Sequence, residues 1–548
     1  MAPTTAATTS DPVTASTTTL GATASTIVPP PSGPIVIAES AEEIGVQIGG
    51  SPLPFTLNPF LVGDWWRLST RLDPLLFGGA WEPGAGGEPV ADLVESLPDP
   101  TNGTAQRSAD GSVTLSYRIR SDASWADGMP VSSDDFELTL RILQEDTLQI
   151  RDDWKAWHEG VGGFEVVSDT EFRVTMAEPL TRYRHLFPVV VPAHVVDVDT
   201  FAEEWTNTLW PSAGSLRLVS FERMAAPLAG VMVLEPNPTA PGTRGVPDGL
   251  VINFYQRDER GDSLAVEAFL TGEADLLGPA AAGSGPHVLD RLIGDAAVAS
   301  SPPSIWEALF LQSGPKRLEV NPNSQLDNSL ARHAVARALL GDTSGVPGQR
   351  ITSLVEYFVP GAENPAGGWS SERTPKNRFG AIPLVYETTD GELTMEIARG
   401  VKPFLESAGF EVDLRFDHDA SAAFARFGDG AFEAFAVRQV RLPGSVALLE
   451  YFDALSSSRA GFPDLWPDPS LAAAFRTALD GFAGELDPDG RLQLLIEAEE
   501  ILVEAMFLVP LVTRSGERWV YHADGVVGPG DYETAEGFLA NFTEWHRP

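Results

Sequence analysis

Along residues 113–120, Val113, Leu115, Tyr117 and Ile119 alternate with Thr114, Ser116, Arg118 and Arg120. A period of two is that of a strand buried on one face. Asp127-Gly128 then supplies turn chemistry, and Pro130 keeps Met129 out of the helical region, so the chain reverses before a helix begins. That helix is predicted from Ser132, with Asp135 placed for a capping box and Val131 placed to staple onto Phe136. Asp134 and Asp135 also stand where the helix dipole favours negative charge. Further along, alternation predicts a short strand at Ile44, Val46 and Ile48. A hairpin is predicted from Phe164–Val167 through Ser168-Asp169-Thr170 to Phe172, Val174 and Met176. Val251–Tyr255 reads as a strand and Ser263–Leu270 as a helix. The helical period returns at Asn328–Leu340 and at Leu393–Ala408, the latter stopped by Gly409 between strands at Pro383–Tyr386 and Phe410–Phe416. A last long helix carries Leu492, Leu495, Ile496, Leu502 and Met506 on one face. Strands alternating with helices make this an α/β chain.

At 548 residues the chain is long enough for two or three lobes. Residues 1–34 hold ten threonines and six prolines with one charged side chain, Asp11, and read as a disordered linker. They contain neither a basic stretch nor an apolar one of the kind a secretory signal needs. No apolar run reaches membrane-spanning length; Ile501–Val512 is short and interrupted by Glu504 and Pro510. The 77 acidic against 37 basic residues give a net charge of −40, which repels nucleic acids and anionic membranes. With no cysteine, disulfides, thiolate metal sites and cysteine nucleophiles are excluded. No Gly-x-Ser-x-Gly elbow, phosphate loop or His-Glu-x-x-His motif is present. Trp65, Trp66, Phe77 and Trp81 read as core, and the scattered histidines, His194 among them, as structural rather than metal-ligating.

Tyr117-Arg-Ile-Arg120, Trp125-Ala-Asp-Gly-Met-Pro-Val131 and Ser133-Asp-Asp-Phe136, in that order, resemble the hallmark segment of the family 5 extracellular solute-binding proteins of ABC importers, the dipeptide, oligopeptide and nickel binders. Thr56-Leu-Asn-Pro59, Glu88–Ser96, Leu186–Val195, Gly272-Glu-Ala-Asp-Leu276, Ala331–Ala338 and Pro510-Leu-Val512 resemble further stretches of the family. The resemblance covers about residues 40–520. It implies a two-lobed type II periplasmic-binding-protein fold (cluster C) with an extra subdomain in the first lobe. Lobe I is expected at 35–57, 206–278 and 511–548, the subdomain at 58–205 and lobe II at 279–510. The crossings are then near 278 and 510. The ligand is held between the lobes, hinge closure reports it, and the partners are an ABC permease and its ATPase. A monomer working outside the cytoplasm, tethered through the linker, with no metal or cofactor, completes that expectation.

In peptide-binding relatives an aspartate after a Gly-Trp pair holds the ligand's amino terminus. The matching region here, Ala431–Pro443, has neither; Arg438 and Arg441 stand there instead. A guanidinium repels an ammonium, whereas it can hold a carboxylate or phosphate, so the ligand is expected not to be a standard peptide with a free amino terminus, or to be bound in the reversed sense. Surface ion pairing is the alternative role for both arginines. The resemblance adds Phe55, Asn58, Trp306 and Gln439 as cleft candidates, with core packing the alternative for Trp306. A secreted hydrolase, or a receptor-like or chaperone-like binding module, stays open as a different function on this fold.

Overall fold

The computed structural model describes residues 33–41, 58–61, 75–84, 88–158, 160–177, 180–203, 210–224, 228–240, 248–256, 264–278, 297–299, 305–311, 328–340, 349–359, 361–365, 368–369, 382–389, 392–417, 434–440, 444–456, 466–514 and 520–522, with single positions such as Leu72, Leu326 and Trp545. Two large mixed sheets carry it. The first orders its seven strands as Ala297–Ala299, Val520–His522, Leu276–Leu277, Ile35–Ser40, Leu250–Tyr255, Leu228–Pro236 and Leu216–Arg223. The second has six: Gln349–Arg350, Leu508–Arg514, Ile305–Leu311, Ala434–Val440, Ile382–Thr389 and Phe410–Asp417. A four-stranded antiparallel sheet, Ala105–Arg107, Val113–Arg118, Glu171–Met176 and Val161–Ser168, forms the extra subdomain.

The strand order corrects both expected crossings. Ala297–Ala299 still pairs with Val520–His522 in the first sheet, so lobe I runs past 278 before the chain leaves it. Leu508–Arg514 lies wholly in the second sheet, so lobe II ends after 514 rather than at 510. Pro510 suggests a boundary because it cannot donate to a ladder. The sheet absorbs it with a register irregularity between Glu307 and Ala308, and the strand continues.

The first strand is Ile35–Ser40, paired in parallel with Leu250–Tyr255. It is buried along nearly its whole length, so it shows an apolar run in place of alternation. The strand expected at Ile44–Ile48 lies outside the described residues. The βαβ unit forms as expected, with Ile382–Thr389 parallel to Phe410–Asp417 and the helix Glu392–Ser407 between them. Gly409 turns out of that helix at φ 100°. The expected hairpin also forms, from Val161–Ser168 and Glu171–Met176.

The hallmark segment works as a brace. The helix Ser133–Leu143 starts where the Asp135 carboxylate reaches back to Ser132 N at 2.8 Å. The same carboxylate accepts from Trp125 Nε1 at 3.2 Å and from Ala193 N at 2.7 Å. One buried acid thus ties the turn, the helix start and the chain returning near 193, and burial raises its pKa. Leu138, Ile142 and Leu143 of this helix share one core with Ile35, Ile37 and Phe254 of the first sheet. Their neighbours Phe136 and Leu140 belong to the subdomain's own core. The helix therefore fuses subdomain and lobe I. Lobe II has a single core, spanning Trp306 to Val512. No helix among the described residues is long and apolar enough to cross a membrane.

Candidate functional site

The strands on either side of the two crossings are paired. Ala299 pairs with Val520 at the edge of the first sheet, and Ile305 pairs with Arg514 in the second. Strands that are neighbours at the edge of the first sheet thus continue as neighbours in the second, as in a two-stranded hinge. The ends of both sheets that face this hinge define the candidate cleft.

On the lobe I side, the parallel strands end together at Ser40, Tyr255 and Leu277. Ligands of open α/β sheets bind outside such carboxyl ends. Glu39 is buried there, its Oε1 accepting from Ser40 N at 2.8 Å. A β-carbon on Gly278 would lie 2.0 Å from Glu39 Oε2, so the carboxylate needs a glycine beneath it.

On the lobe II side, Ile305-Trp306-Glu307 lies between Val440-Gln439-Arg438 on one neighbour and Arg514-Thr513-Val512 on the other. Backbone register therefore brings Trp306, Arg438 and Gln439 into one band beside the hinge. Trp306 is 1% exposed and packs edge-to-face on Tyr357, Phe358 and Tyr451, with centroids 6.2, 5.9 and 5.2 Å away. It builds the floor of the band, in the core role left open for it. Its indole N–H is buried and meets no protein acceptor. Tyr357 Oη, bonded to Thr513 Oγ1 at 2.8 Å, ties this aromatic cluster to the outgoing strand.

The other expected residues fall differently. Asn58 is fully buried, its Nδ2 donating to Phe201 O at 3.1 Å and its Oδ1 accepting from Phe60 N at 3.0 Å. That side chain is spent tying Phe60 and Phe201 together. Phe55 and Arg441 lie outside the described residues. His194 bonds Asp127 Oδ2 through Nε2 at 2.7 Å, as a structural histidine would. No group of three or more acids and histidines able to hold a metal occurs among the described residues.

Toward lobe II the subdomain presents an aromatic and basic wall that sequence reasoning missed. Arg182 lies over the Trp157 ring at 4.3 Å, and Trp81 meets His185 edge-to-face at 5.0 Å. Burial, and then Arg182, Arg491 and Arg184, push the His185 pKa down to about 3, so it is neutral at physiological pH. This wall faces the lobe II helix Ser445–Ser456: Arg182 pairs with Glu450, and Ser445 N donates to Glu88 Oε1 at 2.8 Å. Arg182, Arg184 and His185 directly precede the Leu186-Phe-Pro188 stretch already singled out. The available signal was three basic side chains within four residues of an acidic chain.

Residues 88–339 match the model of bacterial extracellular solute-binding proteins, family 5 middle. The fold is shared with the unliganded open form of the murein tripeptide-binding protein MppA at TM-score 0.64 and 15% identity, over 94% of this chain and 98% of that one. Residues 88–339 thus carry the family 5 match, and the chain has the fold of the solute-binding proteins of that type. A second family 5 fold, the periplasmic EDTA-binding protein EppA, aligns at TM-score 0.63 and 18% identity, over 95% of this chain and 97% of that one. In sequence, the chain is 24% identical over 224 residues to the probable monoacyl phosphatidylinositol tetramannoside-binding protein LpqW of Mycobacterium tuberculosis. That match covers 35% of this chain and 29% of LpqW, under a third of the relative's length. Family 5 is a group of extracellular binding proteins for small solutes and peptides that work with ABC permeases.

Proposed function

We propose that this chain captures a peptide or peptide-like solute between its lobes and delivers it to an ABC permease, without transforming it. The observation that carries the reading is the strand pairing on either side of the crossings, Ala299 with Val520 in one sheet and Ile305 with Arg514 in the other, which supports a single two-stranded hinge between two sheets. A ligand that touches both ends stabilises the closed arrangement by its differential affinity for it. The site of action is then outside the cytoplasm, and the threonine- and proline-rich residues 1–34 suit a tether.

The band holding Arg438, with Arg441 three positions on in the sequence, supports a ligand with an anionic group rather than a free amino terminus. Native mass spectrometry of the purified protein, followed by release on denaturation, identifies the solute and whether it leaves unchanged. Calorimetry with that solute is expected to show Arg438→Ala/Arg441→Ala weakening binding by roughly ten- to a hundredfold, the scale of one or two charge-assisted hydrogen bonds. Equal affinity would remove the arginines from the site. Release of a product of reaction would replace capture by catalysis.

A further inference from the structure

Lobe II reaches the subdomain at a second place, away from the hinge strands. The turn between the helices Pro469–Gly484 and Pro488–Ala505 enters the subdomain, where Leu486 joins the core that includes Tyr117, Phe172 and Tyr183. The subdomain segment 180–183 closes around it. Leu180 N donates to Ala483 O at 2.6 Å, and Tyr183 Oη donates to Leu486 O at 2.9 Å. Arg491 Nη2 donates to Leu180 O at 2.9 Å and Thr181 O at 2.7 Å, while its guanidinium lies over the Tyr183 and Phe482 rings at 5.1 and 4.3 Å. Arg107 bonds Gly484 O at the rim, and Arg182 pairs with Glu450 beside it.

The turn is stiff. Glu485 Oε1 accepts from Leu486 N at 2.7 Å and Asp487 N at 2.9 Å, and Asp487 Oδ2 caps the next helix through Gly490 N at 2.9 Å. It enters the subdomain as a formed hook, so little ordering entropy opposes docking.

These contacts complete a ring. The subdomain is fused to lobe I through their shared core, lobe I joins lobe II through the paired crossings, and the hook joins lobe II back to the subdomain. Opening that moves lobe II away from the subdomain must separate the hook from its socket. We propose that the turn at 484–487 and the segment 180–183 form a latch that holds the cleft shut, so that part of the closed state's stability exists before any ligand binds. This rests on reading the cleft as a binding site that opens and closes. Its consequence is a high closed population in the ligand-free protein and slow exchange of solute, since each opening must break the latch.

The chain has no cysteine, so a donor–acceptor dye pair can be attached at Val219→Cys in lobe I and Leu330→Cys in lobe II, both exposed in this structure. Single-molecule energy transfer is then measured on the ligand-free full chain. A distribution dominated by a single, closed-state transfer efficiency is expected. Tyr183→Phe, which deletes one hydrogen bond, is expected to raise the open-to-closed ratio roughly three- to tenfold. Arg182→Glu sets two acids against each other and is expected to shift the ratio in the same direction, and adding Glu450→Arg is expected to restore it. That reciprocity is not expected of a general loss of stability, and circular dichroism confirms that each variant is folded. Should Arg182→Glu fail to fold, Tyr183→Phe alone decides. Distributions in the folded variants indistinguishable from the parent would overturn the latch. The measurement uses no solute, so this result is separate from any failure to find a ligand.

Discussion

His158 has both ring nitrogens engaged, Nδ1–H donating to Trp154 O at 2.8 Å and Nε2 accepting from Phe187 N at 3.1 Å. That pairing requires the neutral ring with its proton on Nδ1. Burial holds its pKa down at about 4, against 6.5 for an ordinary histidine. The unfolded chain therefore takes up the proton first as pH falls. The stabilisation His158 provides is complete above about pH 6.5 and is lost as pH drops toward 4. Buried Asp92 and Glu499 run the other way: burial raises both to about 7, so their contribution is complete below the ordinary carboxylate range and lost as pH rises through 7. Because the two kinds of group oppose, the parent's total pH profile does not isolate either. The difference between parent and His158→Gln does. Denaturant titrations at about pH 7 and pH 5 should show the parent's advantage over the variant shrinking by about 2 kcal/mol at the lower pH. A constant advantage would mean His158 is not held neutral. Phe187 itself sits at φ 59°, a conformation that side chains other than glycine adopt with strain. Its N–H is held by His158, its carbonyl by Ala80 N at 2.8 Å, and its ring by Tyr117, Phe136 and Phe172.

The elements follow local rules unevenly. The strand Val113–Arg118, the helix Ser133–Leu143 and the unit Ile382–Asp417 were legible because alternation, capping chemistry and a helix-stopping glycine each act over a few residues. The strand Ile35–Ser40 was not, because burial on both faces erases alternation. Glu499 went unremarked on the helix Pro488–Ala505, although it falls on the apolar face between Leu495 and Leu502. There its carboxylate receives Ser353 Oγ at 2.8 Å and Asn364 Nδ2 at 2.7 Å, and the amides that begin the helix Leu354–Phe358. An acid interrupting an apolar stripe was the readable sign of a buried cap. Close approach between segments distant in sequence leaves no such sign. Gly79 is the case in point: a β-carbon there would lie 2.3 Å from Pro188 O, main-chain atoms that cannot step aside. Gly79→Ala should cost about 1–3 kcal/mol by overpacking. Gly163→Ala meets only Thr175, at the ordinary contact distance of 3.8 Å, and should be neutral or stabilising by about 0.4–1 kcal/mol. Urea midpoints that moved equally for both would show that backbone proximity does not govern these sites.

At the scale of the whole molecule, the family resemblance made the two lobes legible, but strand pairing alone located their boundaries, since Gly278 and Pro510 look like breaks and are not. The candidate cleft rests on two kinds of placement. Arg438 and Gln439 stand beside the hinge by register, whereas the wall of Arg182, Trp157 and His185 depends on which helix the subdomain meets. Charge is the one property read whole from the chain, and it has a consequence for stability. With 77 acids and 37 bases, 40 negative charges have no positive charge to cancel them and repel one another. The described ion pairs are largely exposed; Arg118–Glu171 and Arg217–Glu235, for instance, retain 36–60% of their side-chain surface. Pairs of that kind contribute about 0–1 kcal/mol each and weaken in salt. Salt therefore removes a little attraction and much repulsion, and repulsion wins by number. Raising sodium chloride from about 0.01 M to about 0.1 M shortens the screening length from about 30 Å to about 10 Å, below the distance over which the lobes' charges act. The thermal midpoint should rise over that range and level off beyond it, the reverse of a fold held by surface ion pairs. A midpoint that fell with salt would place the attractive pairs, the Arg182–Glu450 contact among them, above the net charge in holding the molecule together.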